Sequence, residues 1–556
     1  MSRSGVSPLM RPVWKWAIGV AVSLLVILFL ANWYVNYRLK PRLEAQLKER
    51  IHDGTDGRYR LTYEELNLSL FRGSATATGL RLVPDTTAKS RRPAAGTTYQ
   101  ARVGRLRISG FGVLRWLLFK KLYIGTIALD TPSVTLLRHP QSDTMAVDTA
   151  AASPLAKLTE VVSHIRVNRI RLREGQLQVE EQGNAARLQV QGIQTTLRDL
   201  RIDSASLRDT TRLYGAESIE LQARGLVYLR PDSLYLLQTG PLHFQTDARE
   251  LTVDSLRYGI TVSKAEFYRR VRRAEDIPDI EISRMQLAGI EKASWVNRQL
   301  LAAASLHIDS GHIAIYKDKT QPNPPENKIG KSPHQQLLKL EQRLAIDSVS
   351  IRGVDVRFTE VSDKTGKAGT VTFDQTDGVF RNVSNDSAAL ARDRYMRLHA
   401  RSRVMGTGDL TVDFRFDLLD SLGAHTYSAK LGGMDGTVFN RMITPQLNLE
   451  IERVDIKGMR FDMKADDRGT GGTLQLDYEK LKVIFLKEGN DGGMAEKRVF
   501  SFLANRFLLN DSNPDANGVR HTGNIYIERP SDFSFFKMIW RSIREGTKEC
   551  IGLPAP

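Results

Sequence analysis

The sequence predicts a mainly β protein: an N-terminal transmembrane helix, then an elongated, repetitive antiparallel sheet that forms a groove or curls on itself, with few short helices. Three observations predict it. Apolar and polar residues alternate over most of the chain from Tyr59 onward, which is the strand signature. A long segment recurs at a fixed offset. One uncharged run near the N-terminus is long enough to cross a bilayer.

That run is Trp16 to Ala31, extended by Asn32, Trp33, Tyr34 and Val35. About 20 residues make a helix of ~30 Å, the thickness of a bilayer core. Trp14 and Trp16 mark one interface, and Trp33, Tyr34 and Tyr37 the other. Ala31-Asn32-Trp33 lacks the spaced small residues of a signal-peptide cleavage site, so the reading is an uncleaved anchor. Arg3, Arg11 and Lys15 precede the run, and Arg38, Lys40, Arg42, Lys48 and Arg50 follow it. These flanking charges do not decide orientation by themselves, because long domains translocate regardless of local charge.

After the anchor, residues 38–51 read as a short charged helix. Strand alternation follows in Tyr59-x-Leu61-x-Tyr63, Leu66-x-Leu68-x-Leu70, Val103 to Ile108, and Leu474-x-Leu476-x-Tyr478. Helical spacing is confined to residues 112–121, 155–165, 334–344 and 533–550. Residues 84–98, 138–153 and 317–332 are rich in Pro, Ser, Thr, Asp or Lys and read as surface loops.

The repeat is the most specific pattern. Ile127-x-Leu129-x-x-Pro132-x-Val134-x-Leu136 falls on Leu306-x-Ile308-x-x-Gly311-x-Ile313-x-Ile315, an offset of 179 residues. In the same register Ser153-Pro154 falls on Ser332-Pro333, Trp116 on Trp295, and Ile170 and Leu172 on Val349 and Ile351. A shift of four residues extends it: Leu188, Val190, Leu197 and Leu200 fall on Val371, Phe373, Phe380 and Val383. The Gly or Pro inside each unit marks a tight turn or a bulge in a meandering antiparallel sheet. The segments are therefore 1–37 (cytoplasmic tail and anchor), 38–101 (juxtamembrane helix and first strands), 102–281 and 282–464 (two β-rich repeats), 465–530 (C-terminal strands) and 531–556 (amphipathic helix and tail). Some 20–25 strands at ~4.8 Å spacing extend on the order of 100 Å.

Composition narrows the function classes. The 556 residues carry 80 Lys and Arg against 63 Asp and Glu, a formal charge of +17 that favours anionic partners such as lipid headgroups. No basic block interleaved with aromatics occurs, which argues against nucleic acid. The single cysteine, Cys550, can form neither an internal disulfide nor a thiolate zinc site. Gly330-Lys331-Ser332 lacks the first glycine of a phosphate loop, since Pro325 stands there; Ser534-x-x-Lys537 stands without companion motifs; Asp53 to Gly57 lacks the remaining calcium ligands. The expectation is no catalysis, no metal and no cofactor.

Several stretches together carry a resemblance. They are the anchor with the Tyr59 to Leu70 strands, Gly79-Leu80-x-Leu82, IALDTPSVTLLR at Ile127 to Arg138, and Asp435 to Met463. Asp477 to Val483, Ser501 to Pro514 and Gly523 to Gly552 complete the set. In this order they resemble the AsmA-like family of envelope proteins, which includes TamB-like members, and the tail is similar to the short branch found in Bacteroidetes-type envelopes. The resemblance covers nearly the whole chain. It implies a single-pass inner-membrane anchor at residues 16–35, a large periplasmic body with an apolar β-groove, phospholipid as cargo, and a part in outer-membrane biogenesis and homeostasis. The chain is short for the family, which puts unaided bridging of the periplasm in doubt and brings in envelope protein partners or a regulatory role.

The groove-lining candidates are Ile127, Leu129, Ile170, Leu172, Leu306, Ile308, Val349 and Ile351. An acyl chain on such a face gains ~0.8 kcal/mol per buried CH₂. Alternation shows that one face is apolar; whether that face is open, or sealed as in a non-catalytic scaffold, stays undecided at this level. A second candidate is the C-terminal helix. Phe533, Phe536, Trp540 and Ile543 form its stripe, with Lys537, Arg541 and Arg544 alongside. It suits an anionic membrane surface or a cap on the open end of the sheet.

Overall fold

The computed structural model describes residues 59–69, 73–84, 97–111, 121–138, 164–181, 186–203, 206, 209–488, 494–496 and 509–553. The anchor, the juxtamembrane helix and the helical segments at 112–120 and 155–163 lie outside the described residues. Among the described residues no helix is long and apolar enough to cross a membrane. They are 62% strand and 14% helix, so the body is mainly β. The chain divides into two compact units, 1–224 and 225–556. That division falls inside the 102–281 segment.

The first unit contains β1 (Tyr59–Thr62), β2 (Glu65–Ser69), β3 (Ser74–Pro84), β4 (Thr97–Ser109), β5 (Lys121–Arg138), β6 (His164–Glu181), β7 (Ala186–Ile202) and β8 (Ser218–Ala223). β1 and β2 both pair with β3, and the ladder then follows chain order. Register stacks like with like. Ile108, Ile127, Ile170, Leu197 and Ile219 form one row; Leu82, Ala101, Val134, Leu177 and Val190 form another. The opposite face is polar.

The second unit contains β9 (Gly225–Leu229), β10 (Tyr235–Thr239), β11 (Leu242–Gln245), β12 (Glu250–Ile260), β13 (Ile277–Ala288), β14 (Leu300–Asp318), β15 (Arg343–Val361) and β16 (Ala368–Ser384). It continues with β17 (Tyr395–Val404), β18 (Gly408–Asp417), β19 (His425–Leu431), β20 (Met434–Asp435), β21 (Leu449–Ala465), β22 (Gly469–Glu488), β23 (Met494–Glu496) and β24 (Thr522–Glu528). A row that starts at Leu251, Leu287, Leu306, Val349 and Phe380 runs on through Phe414, Tyr427 and Met463 to Ile525 on β24. A parallel row contains Met285, Ile308, Ile351, Ala400, Phe461 and Leu474.

The internal repeat is structural. β4 to β6 correspond to β13 to β15 at the 179-residue offset, and β7 corresponds to β16 with the four-residue shift. Backbone geometry repeats with it. Thr131 and Ser310 are both left-handed (φ 50° and 54°), as are Glu174 and Gly353 (52° and 57°), and Gly192 and Gln375 (61° and 51°). In β5 the left-handed Thr131 flips the phase of alternation, so Leu129 and Val134 share a face although five residues apart. Aligned across neighbouring strands, these positions form a crease that bends the sheet.

Of the two places expected for the Gly or Pro of the repeat unit, the structure shows the bulge and not the turn: the pairing of β6 with β7 shifts register on both sides of Gly175, and β5 and β14 run straight through Pro132 and Gly311, which sit at the crease. One expectation needs correction, since the sheet is not wholly antiparallel. β5 with β6, and β14 with β15, are parallel. A parallel neighbour needs a crossover of a dozen residues or more. The segment 319–342 supplies one and carries helix α3 (below).

Six α-helices are described: α1 (Lys264–Val271), α2 (Lys292–Arg298), α3 (Pro333–Leu338), α4 (Ser387–Arg392), α5 (Asn440–Leu447) and α6 (Phe535–Cys550). Ser263 caps α1, which buries Phe267 and Tyr268 against Leu234, Tyr235 and Ile277. Ser332 and Gln335 make a reciprocal capping box on α3, with Pro333 in the first turn. α3 therefore ends well short of the expected 344, because Arg343 already begins β15.

Candidate functional site

The eight groove candidates fall into two quartets of cross-strand neighbours. Ile127 pairs with Ile170 and Leu129 with Leu172; Leu306 pairs with Val349 and Ile308 with Ile351. One quartet lies in each compact unit, at equivalent positions. Strand alternation puts all four of a quartet on one face, and β-branched and leucine side chains suit that pleated surface.

Their surroundings differ. Val349 is buried at 9% exposure and packs with Leu287, Ala303 and Ile346, with Leu306 and Ile308 against them. Ile127, Leu129, Ile170 and Leu172 are only half-buried and belong to no core cluster among the described residues. Each of these side chains retains part of the burial free energy, ~1.5–3 kcal/mol when complete, for something that covers it.

The C-terminal helix lies on the sheet, in a phase other than the expected one. Met538, Ser542, Gly546 and Cys550 form the buried face of α6 over Leu474, Leu476, Ile525 and Ile527, and Phe535, also buried, packs with Leu390, Met396, Phe416 and Leu418. Phe536 and Trp540 point away from it, 70% and 48% exposed, and Phe533 precedes the helix. Ile543 packs at the flank of the cluster. The ammonium of Lys537 stands 3.6 Å from the centre of the Phe533 ring, and the Arg541 guanidinium 5.2 Å. Arg544 donates to Glu545 at 2.7 Å. The helix covers the apolar face of β22 and β24. It also touches the sheet edge: Glu549 accepts the outward N–H of Asn524 at 2.7 Å. Cys550 is fully buried, its Sγ 3.5 Å from the Leu474 carbonyl, and burial pushes its thiol pKa up, so it is no nucleophile.

Sequence reasoning missed a buried polar knot beside this helix. Arg529 donates to Asp467 at 2.6 Å; Gln335 Nε2 and the Gly330 N–H reach the other carboxylate oxygen at 2.7 and 3.1 Å. Arg529 also donates to the carbonyls of Lys328 and Phe533. His334, 1% exposed, packs against Phe416 with ring centroids 4.8 Å apart. Its Nε2 and the Nδ1 of His425 approach the same carbonyl, that of Gly423, at 3.0 and 2.9 Å. Burial, then the neighbouring His425, pushes His334 down to about 4. Burial lowers His425 as well. Two neutral imidazoles and one paired charge thus join the β14–β15 crossover to the root of α6. The pairs that tie the segments together, from Arg529–Asp467 at 62 residues to Arg529–Lys328 at 201, are far apart in sequence, so no local spacing signals them.

A shallow cavity of about 880 Å³ crosses β16–β19, β21 and β22 and is lined by His399, Asp413 and Ser428 among others. His399 Nδ1 stands 2.8 Å from Asp413, and Ser428 is the cross-strand partner of Asp413. The carboxylate lies between imidazole and hydroxyl, an order that gives the hydroxyl no base. Among the described residues no group of three His, Cys, Asp or Glu could hold a metal ion. No protein-family model matches the chain, and no curated protein resembles it closely enough in sequence to count as a relative.

Proposed function

We propose that this protein is a membrane-anchored envelope protein of AsmA-like type that shelters phospholipid acyl chains on the apolar face of its sheet and hands them on without catalysis. The carrying observation is the half-buried quartet of Ile127, Leu129, Ile170 and Leu172, set in rows of like residues that cross the first unit and, among the described residues, lie outside every packed cluster. A continuous apolar row accommodates an acyl chain by area alone, with no shaped pocket. The anchor at residues 16–35 would place the body in the periplasm, with the inner membrane as its lipid source.

The test is native mass spectrometry with lipid extraction on the full chain, beside the double variant Ile127→Asp/Ile170→Asp. The wild type is expected to carry phospholipid at near-stoichiometric or greater amounts and the variant to lose most of it. Equal lipid recovery from folded variant, or a stable lipid-free wild type, sinks the reading. A scaffold that organises envelope partners is the second reading. The five packed clusters of the second unit favour it, since a sealed interior needs no cargo.

A further inference from the structure

The polar face of β4–β6 carries two ridges of arginine. Arg102, Arg105 and Arg107 stand on β4, and Arg169, Arg171 and Arg173 on β6. Between them β5 presents short side chains. Ala128 is the cross-strand partner of both Arg107 and Arg171, and Asp130 of both Arg105 and Arg173. Each ridge is one strand from that floor, about 4.8 Å. Among the described residues none of the six arginines makes an ion pair, and four of them, Arg102, Arg105, Arg107 and Arg173, are exposed. Like charges at this density repel one another, an unfavourable term for folding that the single carboxylate of Asp130 offsets only in part.

The second repeat shows that the fold does not need four of them. At the equivalent positions of β13 and β15, Arg102 becomes Glu281, Arg107 becomes Gln286, Arg169 becomes Ser348 and Arg171 becomes Ser350, whereas the row of Arg105, Asp130 and Arg173 is kept as Arg284, Asp309 and Arg352. The floor changes too. Ala128 becomes His307, whose Nδ1 lies 2.6 Å from Ser350 Oγ and whose Nε2 lies 2.9 Å from Ser305 Oγ. One copy fills the furrow with its own hydrogen-bonded imidazole. The other leaves a methyl between two guanidinium ridges.

We propose that this furrow docks the phosphate groups of anionic lipid headgroups. Guanidinium forks bind phosphate oxygens two at a time, which compact ammonium groups do not. No aromatic residue lies in these rows, so the stacking platform that single-stranded nucleic acid needs is missing. The assignment rests on charge and register, independently of the acyl-chain reading of the opposite face.

Full-length protein is immobilised by its C-terminus and exposed to nanodiscs of phosphatidylcholine with or without phosphatidylglycerol. Wild type is expected to prefer the anionic discs, with binding that falls as salt rises. The exchange variant Arg102→Glu/Arg107→Gln/Arg169→Ser/Arg171→Ser gives the first repeat the residues of the second and is expected to lose at least about tenfold in affinity. The all-lysine variant at the same four positions keeps the charge and retains part of the binding. If the exchange variant does not fold, Arg107→Gln/Arg171→Ser carries the test with a severalfold loss. Undiminished binding by a folded variant overturns the proposal, as does wild type that ignores phosphatidylglycerol. Equal affinity for double-stranded DNA marks a general polyanion surface and overturns the lipid assignment. Co-purified lipid is expected to be unchanged in the exchange variant, which separates this failure from failure of the groove.

Discussion

His334 is the most consequential single side chain outside the apolar rows. Its Nε2 donates to the Gly423 carbonyl, and its Nδ1 has no hydrogen-bond partner among the described residues. A proton there would be buried beside His425 and within reach of the Arg529 charge, a cost that the Gly423 carbonyl and the Asp467 carboxylate offset only in part. The folded pKa of about 4 lies below the ordinary 6.5. The unfolded chain therefore binds the extra proton first, and stability rises with pH between those values. The contribution is complete above pH 6.5 and is lost as pH falls from there towards 4. The denaturant midpoint is expected to drop over this window. In His334→Phe, which keeps the ring contacts and costs about 1 kcal/mol for the hydrogen bond, the drop should be shallower. An unchanged slope in that variant would place the titration elsewhere.

Two glycines set how closely helix α6 lies on the sheet. A Cβ on Gly523 of β24 would come within 2.5 Å of the Gly546 carbonyl oxygen, and one on Gly546 within 2.8 Å of Leu474 and Ile525. Backbone rests on backbone, and backbone cannot give way. Gly523→Val is expected to cost about 1–3 kcal/mol and to open residues 531–553 to proteolysis. Gly471→Val on neighbouring β22 is the control, because its Cβ would meet nothing closer than 3.5 Å. Equal cleavage in both variants would mean the helix is not held by this contact. The same helix illustrates what the sequence could convey. Its existence was legible, because Phe533, Phe536, Trp540 and Ile543 recur at helical spacing; the cap that starts it, Ser534, is seen in the structure. Its docking face was not. Phe536 and Trp540 outrank Met538, Ser542 and Cys550 in hydrophobicity, yet the glycine at 546 decides which side comes close. The short helices α1, α2, α4 and α5 were missed for a related reason, since six to eight residues are too few for helical spacing to separate from strand alternation. Strand placement succeeded because period-two alternation is dense in β5, β6, β14 and β15, and the two copies support each other. The parallel pairing in each copy left no trace, because alternation reads the same in either direction.

At the scale of the whole molecule the two units are unequally packed. Every core cluster among the described residues belongs to 225–556. The first unit has matching apolar rows, but its buried large apolar residues Ile124, Val167 and Ile202 gather at one end of β5–β7, and Ile127, Leu129, Ile170 and Leu172 are only half-buried. Local stability follows buried apolar contact, so β4–β7 should open more readily than β17–β22. Cargo changes this ordering. A ligand that binds only the folded state stabilises the part it touches, and acyl chains laid along Ile127, Leu129, Ile170 and Leu172 touch the first unit. Hydrogen exchange on the full chain, read peptide by peptide before and after delipidation, is the measurement. Amides of β4–β7 are expected to lose protection selectively once lipid is removed, while those of β21 and β22 hold. The comparison is internal, because equivalent strands of the two repeats share backbone geometry and differ in what covers them. If delipidated β5 and β6 exchange as slowly as β14 and β15, the apolar rows of the first unit are already sealed. The half-buried side chains would then reflect shallow packing of a rigid body, and the scaffold reading would replace the carrier.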